Sequence, residues 1–346
     1  MNSNSILTRK GGHMSKLLLV GEPLIRVSPN QFQPLTNACE AQLFFGGSEV
    51  NIARTLGGFG LEARLFTALP DNPVGHAFHQ FLKQSGVDMS LTAWQGHRVG
   101  LYYLENGFGC RASQVYYDRC GSSFSALDKD SLDLAAIFEG ISHFHFSGIS
   151  LALGKKTQDL IEILAREAKK RDICISFDLN FRSSMIAVAD AKRLFSHFAQ
   201  YADIIFGMEP LLLDSDDFDM FGRNKADTTT IRERLAGLYQ RYQLQAIYHT
   251  ERSNDAQGSN RFKAYAYDGQ FYESCEVTTP VLQRVGSGDA FVAGLLYQLL
   301  EGNEKQCNLD LAVATASLKC TVAEDQLYHS VQQVEAVLAN QRDVQR

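Results

Sequence analysis

The chain has 346 residues, 45% of them hydrophobic and 21% charged, the balance of a soluble globular protein rather than a disordered one. Its net charge of −6, from 33 Lys and Arg against 39 Asp and Glu, leaves no global basic field for nucleic acid. No apolar run reaches the ~18 residues of a membrane span, and the seven cysteines are scattered without a Cys-x-x-Cys pair, which excludes the usual zinc spacings and fits reduced thiols in the cytoplasm.

The opening MNSNSILTRKGGHM lacks an apolar h-region, so it reads as a cloning leader (1–14) rather than a secretory signal, with one domain over 15–346. KLLLVG (16–21) is a buried strand. SEVNIARTLGGFG (48–60) fits a helix stopped by glycines, ARLFTAL (63–69) a second strand and VGHAFHQFLKQSG (74–86) a second helix. The period then changes, and residues 99–119 read as two strands about a polar, glycine-bearing turn. From 143 onward strands and helices alternate up to QAIYHT (245–250). A hairpin over 261–277 follows, turning at Asp268-Gly269, and helical patterns at 288–301, 309–322 and 331–341 close the chain.

This alternation predicts an α/β fold with a mainly parallel sheet and helices on both faces. The segments that break it, about 22–46 and 97–120, are β-rich and predict a small accessory sheet at one edge, a lid. Its strands also offer a surface on which a second subunit could pair to give a homo-oligomer. Ligands in such folds bind beyond the carboxyl ends of the strands. Four stretches fall there: Gly46-Gly47, residues 180–182, residues 249–252 and Gly286 to Asp289.

The last of these, in QRVGSGDAFVAGLLYQLL (283–300), joins a short extended run (278–285) to an apolar helix. A strand-to-helix turn of that kind points unpaired backbone N–H groups in one direction at the positive end of a helix dipole, an anion site. On these residues alone a tight connection with a first-turn charge accounts for the pattern equally well. There is no Walker-type Gly-x-x-x-x-Gly-Lys run. His143 and His145 share one face of a strand, but without a third nearby ligand a packed pair is the better reading than a metal site. DSDDFD (214–219) lacks the glycine and glutamate of a calcium loop.

FFGGSEVNIARTLGGFG and VGSGDAFVAGLLYQL resemble the paired signatures of the ribokinase-like carbohydrate kinases (pfkB-type). Gly46, Gly47, Asn51 and Ala53 fit a Gly-Gly-x-x-x-Asn-x-Ala pattern, and Gly286 to Asp289 a Gly-Ala-Gly-Asp pattern with serine for alanine. GEPLIR (21–26), YDRCGSS (117–123), HFHFSGISLAL (143–153) and SFDLNFR (176–182) are most similar to the 2-keto-3-deoxygluconate kinases of that family. The resemblance implies an ATP- and Mg2+-dependent kinase that phosphorylates the 6-hydroxyl of a six-carbon keto acid.

It further implies that Gly286, Ser287 and Gly288 cradle the transferring phosphoryl group and that Asp289 is the base, held ionised by the helix dipole. Gly47, Ser48, Glu49, Val50 and Asn51 would grip sugar hydroxyls, with Tyr102 and Tyr117 as walls. Asn180 and Arg182 would lie beside ATP. Arg119 and Arg182 would hold the substrate carboxylate in planar, bidentate fashion, and Asp325 would be a further substrate contact. Three stretches depart from the pattern: Gln283-Arg284 before the glycine turn, Met208-Glu209-Pro210-Leu211 in place of Asn-x-x-Glu, and HTERSNDAQGSN (249–260) in place of Lys-x-Gly-x-x-Gly. They leave the metal ligands unknown. The alternatives are a kinase of a neutral sugar such as fructose, or a non-catalytic sugar-binding regulator.

Overall fold

The computed structural model describes residues 16–38, 40–129, 132–222, 226–254, 259–302 and 305–340, so the leader reading falls outside the described residues. The first half carries β1 (Lys16–Val20), β2 (Leu24–Pro29), β3 (Ala41–Gly46), α1 (Ser48–Gly58), β4 (Ala63–Leu69), α2 (Pro73–Lys83), β5 (Thr92–Trp94), β6 (Gly100–Glu105), β7 (Gln114–Asp118), α3 (Leu134–Ile137), β8 (Ile141–Ser147), α4 (Gly148–Leu151) and α5 (Lys155–Lys170). The second half carries β9 (Cys174–Asp178), α6 (Val188–Ala199), β10 (Ile204–Phe206), α7 (Thr228–Tyr242), β11 (Ala246–Asn254), β12 (Asn260–Tyr267), β13 (Phe271–Glu273), β14 (Val277–Thr279), α8 (Ser287–Glu301), α9 (Lys305–Lys319) and α10 (Val331–Leu338).

The main sheet runs β13-β12-β11-β10-β9-β8-β1-β4-β5, with β14 also paired to β12. It is parallel from β11 to β5 and antiparallel at the β12 edge. Strand β1 shows why both faces are covered. Leu17 and Leu19 face one hydrophobic core and Leu18 and Val20 the other, all fully buried. Alternate side chains leave a strand on opposite faces, so a strand apolar at every position must be sandwiched. Residues of α1, α8 and α9 fill the first core, and residues of α5, α6 and α7 the second.

The two β-rich segments pair as expected, in a four-stranded sheet of order β3-β2-β6-β7. Its β2–β6 pair is parallel and the two outer pairs antiparallel. The extended run expected over 278–285 is shorter: only Val277–Thr279 is strand, and the approach to α8 is loop. Strand β11 is longer than the apolar signal, because its outer residues through Asn254 pair with β12 although their side chains are exposed.

His143 and His145 are the packed pair. Both ring nitrogens facing β9 meet Ser176 Oγ, at 2.8 and 2.7 Å, and burial pushes the rings down to about 4 and 3. In the 214–219 loop Asp217 accepts from Lys192 and Arg234, which is a structural ion pair rather than a cation loop.

Candidate active site

Helix α8 begins at Gly286, whose φ of 80° and ψ of −1° lie in the left-handed region. A Cβ there would also stand 1.7 Å from the Asp325 carbonyl oxygen, so glycine is required twice over. Gly288, by contrast, lies inside the helix, and a Cβ on it would meet nothing nearer than Arg252 Nη2 at 3.8 Å. The space in front of the first turn is therefore open. Helix α1 starts in a similar way, at Gly47 with φ 125°, where a Cβ would lie 2.3 Å from the Glu22 carbonyl oxygen.

The two helix starts meet at Asp289. Ser48 Oγ donates to Asp289 Oδ1 at 2.9 Å and Asn51 Nδ2 to Asp289 Oδ2 at 2.7 Å. Both donors lie one turn apart on α1, hence on one face. Their orientation is set from behind: Gln326 Nε2 donates to Asn51 Oδ1 at 2.9 Å, which turns the Asn51 amino group toward the carboxylate. Asn180 Nδ2 donates to Ser48 Oγ at 2.8 Å, which leaves the Ser48 proton for Asp289. Burial raises the Asp289 carboxyl above the usual range, against the opposing hydrogen bonds of Asn51 and Ser48 and the charges of Arg182 and Lys319. The expectation that the helix dipole would dominate is thus corrected: the group is buried, and desolvation outweighs a partial charge.

These residues line a cleft of about 830 Å3 beyond the carboxyl ends of β9, β10 and β11. Gly47, Ser48, Asn51, Tyr102, Tyr117, Asn180, Arg182 and Gly286 to Asp289 all reach it. Four of the sequence-predicted residues do not. Val50 is core. Glu49 points the other way, accepting from Ser147 Oγ, with Oε2 beside Gly21; burial pushes its carboxyl up to about 8. Arg119 is buried and paired with Glu22 (Nε to Oε2 2.5 Å), and Ser122 also donates to that carboxylate. Asp325 is buried between Arg26 (2.9 Å) and the Tyr102 hydroxyl, which donates to it. Those last two side chains are spent on holding the small sheet to the body.

Several groups to which sequence reasoning gave no role also stand in or behind the cleft. Asp178, at the end of β9, lines the cleft, and burial and the Asp289 charge push it up to about 7. Arg252 donates from Nη1 to Ser287 Oγ at 3.3 Å. Lys319, buried behind the turn, donates to the Gln283 carbonyl at 3.1 Å, and burial brings it down to about 8. Glu209 lines the cleft but is paired with Lys192 and Arg234, at 3.2 and 2.6 Å. Among the described residues no group of three or more His, Cys, Asp or Glu is placed to hold a metal ion, and no helix is long and apolar enough to cross a membrane.

An anion cradle beside a carboxylate able to take a proton suits a phosphotransferase that acts on a hydroxyl. Residues 14–330 match the pfkB family carbohydrate kinase family, and the chain belongs to it. It is 28% identical over 324 residues to the 2-dehydro-3-deoxygalactonokinase of Haloferax volcanii, an alignment that covers 94% of this chain and 96% of that protein. The 2-dehydro-3-deoxygluconokinase of Thermoproteus tenax is 27% identical over 318 residues, covering 90% of each. The crystal structure of 2-dehydro-3-deoxygluconokinase from Thermotoga maritima superposes with a TM-score of 0.87 at 29% identity, over 94% of this chain and 99% of that one.

Proposed function

We propose that this carbohydrate kinase transfers the γ-phosphoryl group of ATP to the 6-hydroxyl of 2-keto-3-deoxygluconate. The observation that carries the reading is the Asp289 carboxylate, held by Ser48 and Asn51 beside the open N-terminal turn of α8. A sugar hydroxyl there would give its proton to Asp289 as its oxygen bonds to phosphorus, and ADP would leave with the electrons of the broken bond. A base works best with a pKa near the working pH, and burial moves Asp289 in that direction. The Gly288 N–H, at the open first turn of α8, would face the transferring oxygens, where a fixed dipole stabilises charge without reorganising, while the Ser287 N–H donates to the Arg284 carbonyl at 3.2 Å and closes the turn.

The keto-acid substrate is favoured by the relatives' substrates and by Arg182, an exposed guanidinium on the cleft wall next to Asn180. It can form two parallel bonds to a carboxylate, which a neutral sugar lacks. Arg119 supports that side from behind through Glu22 rather than gripping the substrate itself. A regulator without transfer activity has no use for so completely oriented a base.

Magnesium fits as an ion carried in with the nucleotide, since Mg2+ keeps waters and takes one or two carboxylates rather than an all-protein cage. Asp178 is the cleft carboxylate suited to it, because a divalent cation offsets the cost of its buried charge. The ion would supply charge neutralisation on the phosphate oxygens. A cytoplasmic location suits both ATP use and the scattered thiols.

A coupled ADP-release assay across 2-keto-3-deoxygluconate, 2-keto-3-deoxygalactonate, fructose and ribose tests the reading. The keto acids are expected to exceed the neutral sugars in kcat/KM by at least tenfold to a hundredfold, roughly the 1.5–3 kcal/mol of one hydrogen bond to a charged group. Preference for fructose would overturn it. The 2-keto-3-deoxygalactonate arm decides which C4 epimer is used.

A further inference from the structure

We propose that Arg252 is a further catalytic residue: its guanidinium contacts the transferring phosphoryl oxygens opposite the α8 turn and stabilises the charge that develops on them. The proposal rests on the phosphoryl-transfer reading above.

The position follows from the sheet. Arg252 lies on the outer half of β11, opposite Phe262 of β12, and its guanidinium carbon stands 5.3 Å from the centre of that ring. Packing on a ring face limits the side chain's freedom and aims its nitrogens across the cleft. Nη1 donates to Ser287 Oγ at 3.3 Å, and Nη2 is the nearest atom to a methyl group built on Gly288, at 3.8 Å. The open first turn of α8 at Gly288 and a full positive charge therefore face the same space from two sides. That space is where the phosphoryl group must sit to be in reach of a hydroxyl activated by Asp289.

Charge accounting shows what the site needs. A triphosphate brings several negative charges into a cleft already lined by Asp178, Glu251 and Asp289, and by Glu209, which is paired with Lys192 and Arg234. A helix N-terminus offers only about half an elementary charge. Among the described residues the cleft-lining cations are Arg182, Arg252 and Arg284. Arg182 leans on the Phe181 carbonyl and Arg284 reaches Asn254 at 3.3 Å. Lys319, behind the turn, is turned to the Gln283 carbonyl. Of these cationic side chains, Arg252 is the one whose guanidinium is bonded to the turn, at Ser287 Oγ. Its field also reaches Asp178, whose proton affinity it lowers.

The chemistry is balanced without a change at Arg252. The hydroxyl proton goes to Asp289, the new O–P bond forms, the bridging P–O bond breaks, and its electron pair leaves on ADP. In the loose transition state of such transfers charge spreads over the equatorial oxygens, where a planar two-pronged donor matches better than a point charge.

The test uses the full-length protein with ATP, Mg2+ and the preferred sugar acid. Arg252→Gln and Arg252→Met keep a stem against Phe262 and remove the charge, and Arg252→Lys keeps the charge without the fork. The expected result is a kcat lowered about 10²–10³-fold in the first two, the scale of losing one preorganised transition-state donor. Lys should recover part of it. The dissociation constant of a non-hydrolysable ATP analogue should change by under about tenfold, and methylguanidinium in solution should partly restore an Arg252→Ala variant, which a merely structural role would not allow. Affinity for ADP with aluminium fluoride, a readout independent of turnover, should fall far more than affinity for ADP. An active wild type whose Gln and Met variants keep kcat within threefold would refute the role of Arg252 alone. So would a loss confined to KM for ATP, which would make it a ground-state contact. A wild type that phosphorylates no sugar acid would remove the transfer reading and this proposal with it.

Discussion

Replacing Asp289 by asparagine separates the chemistry of the site from its architecture. The carboxylate accepts from Ser48 at 2.9 Å and from Asn51 at 2.7 Å. In the variant the amide oxygen can still accept from Asn51, whose own amide is held in place by Gln326. The new amino group then faces Ser48 Oγ, which already accepts from Asn180 and has a second lone pair to offer. So at most one hydrogen bond is weakened, a cost of about 0.5–1.5 kcal/mol, while the burial penalty that raises the Asp289 carboxyl disappears. The variant is expected to melt within a few degrees of wild type. Turnover is another matter: loss of a general base costs roughly 10²–10⁴-fold, or about 3–5 kcal/mol of barrier. The assays are thermal unfolding by circular dichroism, steady-state kcat with saturating sugar acid, and calorimetry for the sugar acid. Turnover within tenfold of wild type in the folded variant would refute the role of Asp289. A collapse of stability would refute the hydrogen-bond reasoning.

The two glycines of the turn should part company: Gly286→Ala meets the Asp325 carbonyl at 1.7 Å and a positive φ, so both Tm and activity fall, whereas Gly288→Ala folds as wild type and loses turnover by filling the phosphoryl space. A poorly folded Gly288→Ala would contradict this. Arg182→Ala should lower kcat/KM for the keto acid ten- to a hundredfold (about 1.5–3 kcal/mol) and spare any activity on fructose, while Arg119→Ala should mainly lower stability, by about 3–5 kcal/mol, because it strands the buried Glu22. Equal losses on both substrates with Arg182→Ala would remove its carboxylate contact. Glu49 has a folded value of about 8 against an ordinary 4.5, so its contribution to stability is full below about pH 4.5 and is lost as pH rises toward 8. Glu49→Gln should therefore gain on wild type in Tm between pH 5 and 8, and a pH-independent difference would show that Glu49 is ionised in the folded protein.

Much of the fold was legible in the chain because its signals are local. The run KLLLV, apolar at each position after the lysine, calls for cover on both faces, and the glycines at 47 and 286 mark positive-φ backbone that favours glycine. The accessory sheet was legible as well, since loss of strand–helix alternation at 22–46 and 97–120 left those segments only each other to pair with. Partners brought together over long sequence distances were not. Arg119 reads as a substrate ligand until Glu22, 97 residues earlier, is found beside it, and Asp325 until Arg26 and Tyr102 are. The rise in the Asp289 carboxyl was hidden for the same reason: a dipole can be inferred from a helix start, but burial depends on everything packed around it. Arg252 lay in a stretch noted for departing from the family pattern, and its bond to Ser287 exists only once β11 and α8 are folded together.

Proton-coupled phosphorus-31 NMR of the product formed from ATP and 2-keto-3-deoxygluconate tests the central claim most directly. Transfer to the primary 6-hydroxyl gives a phosphate ester coupled to two equivalent-type methylene protons, hence a triplet, together with stoichiometric ADP. A doublet would place the phosphate on a secondary hydroxyl, and inorganic phosphate alone would mean that water, not the sugar acid, meets the base at Asp289.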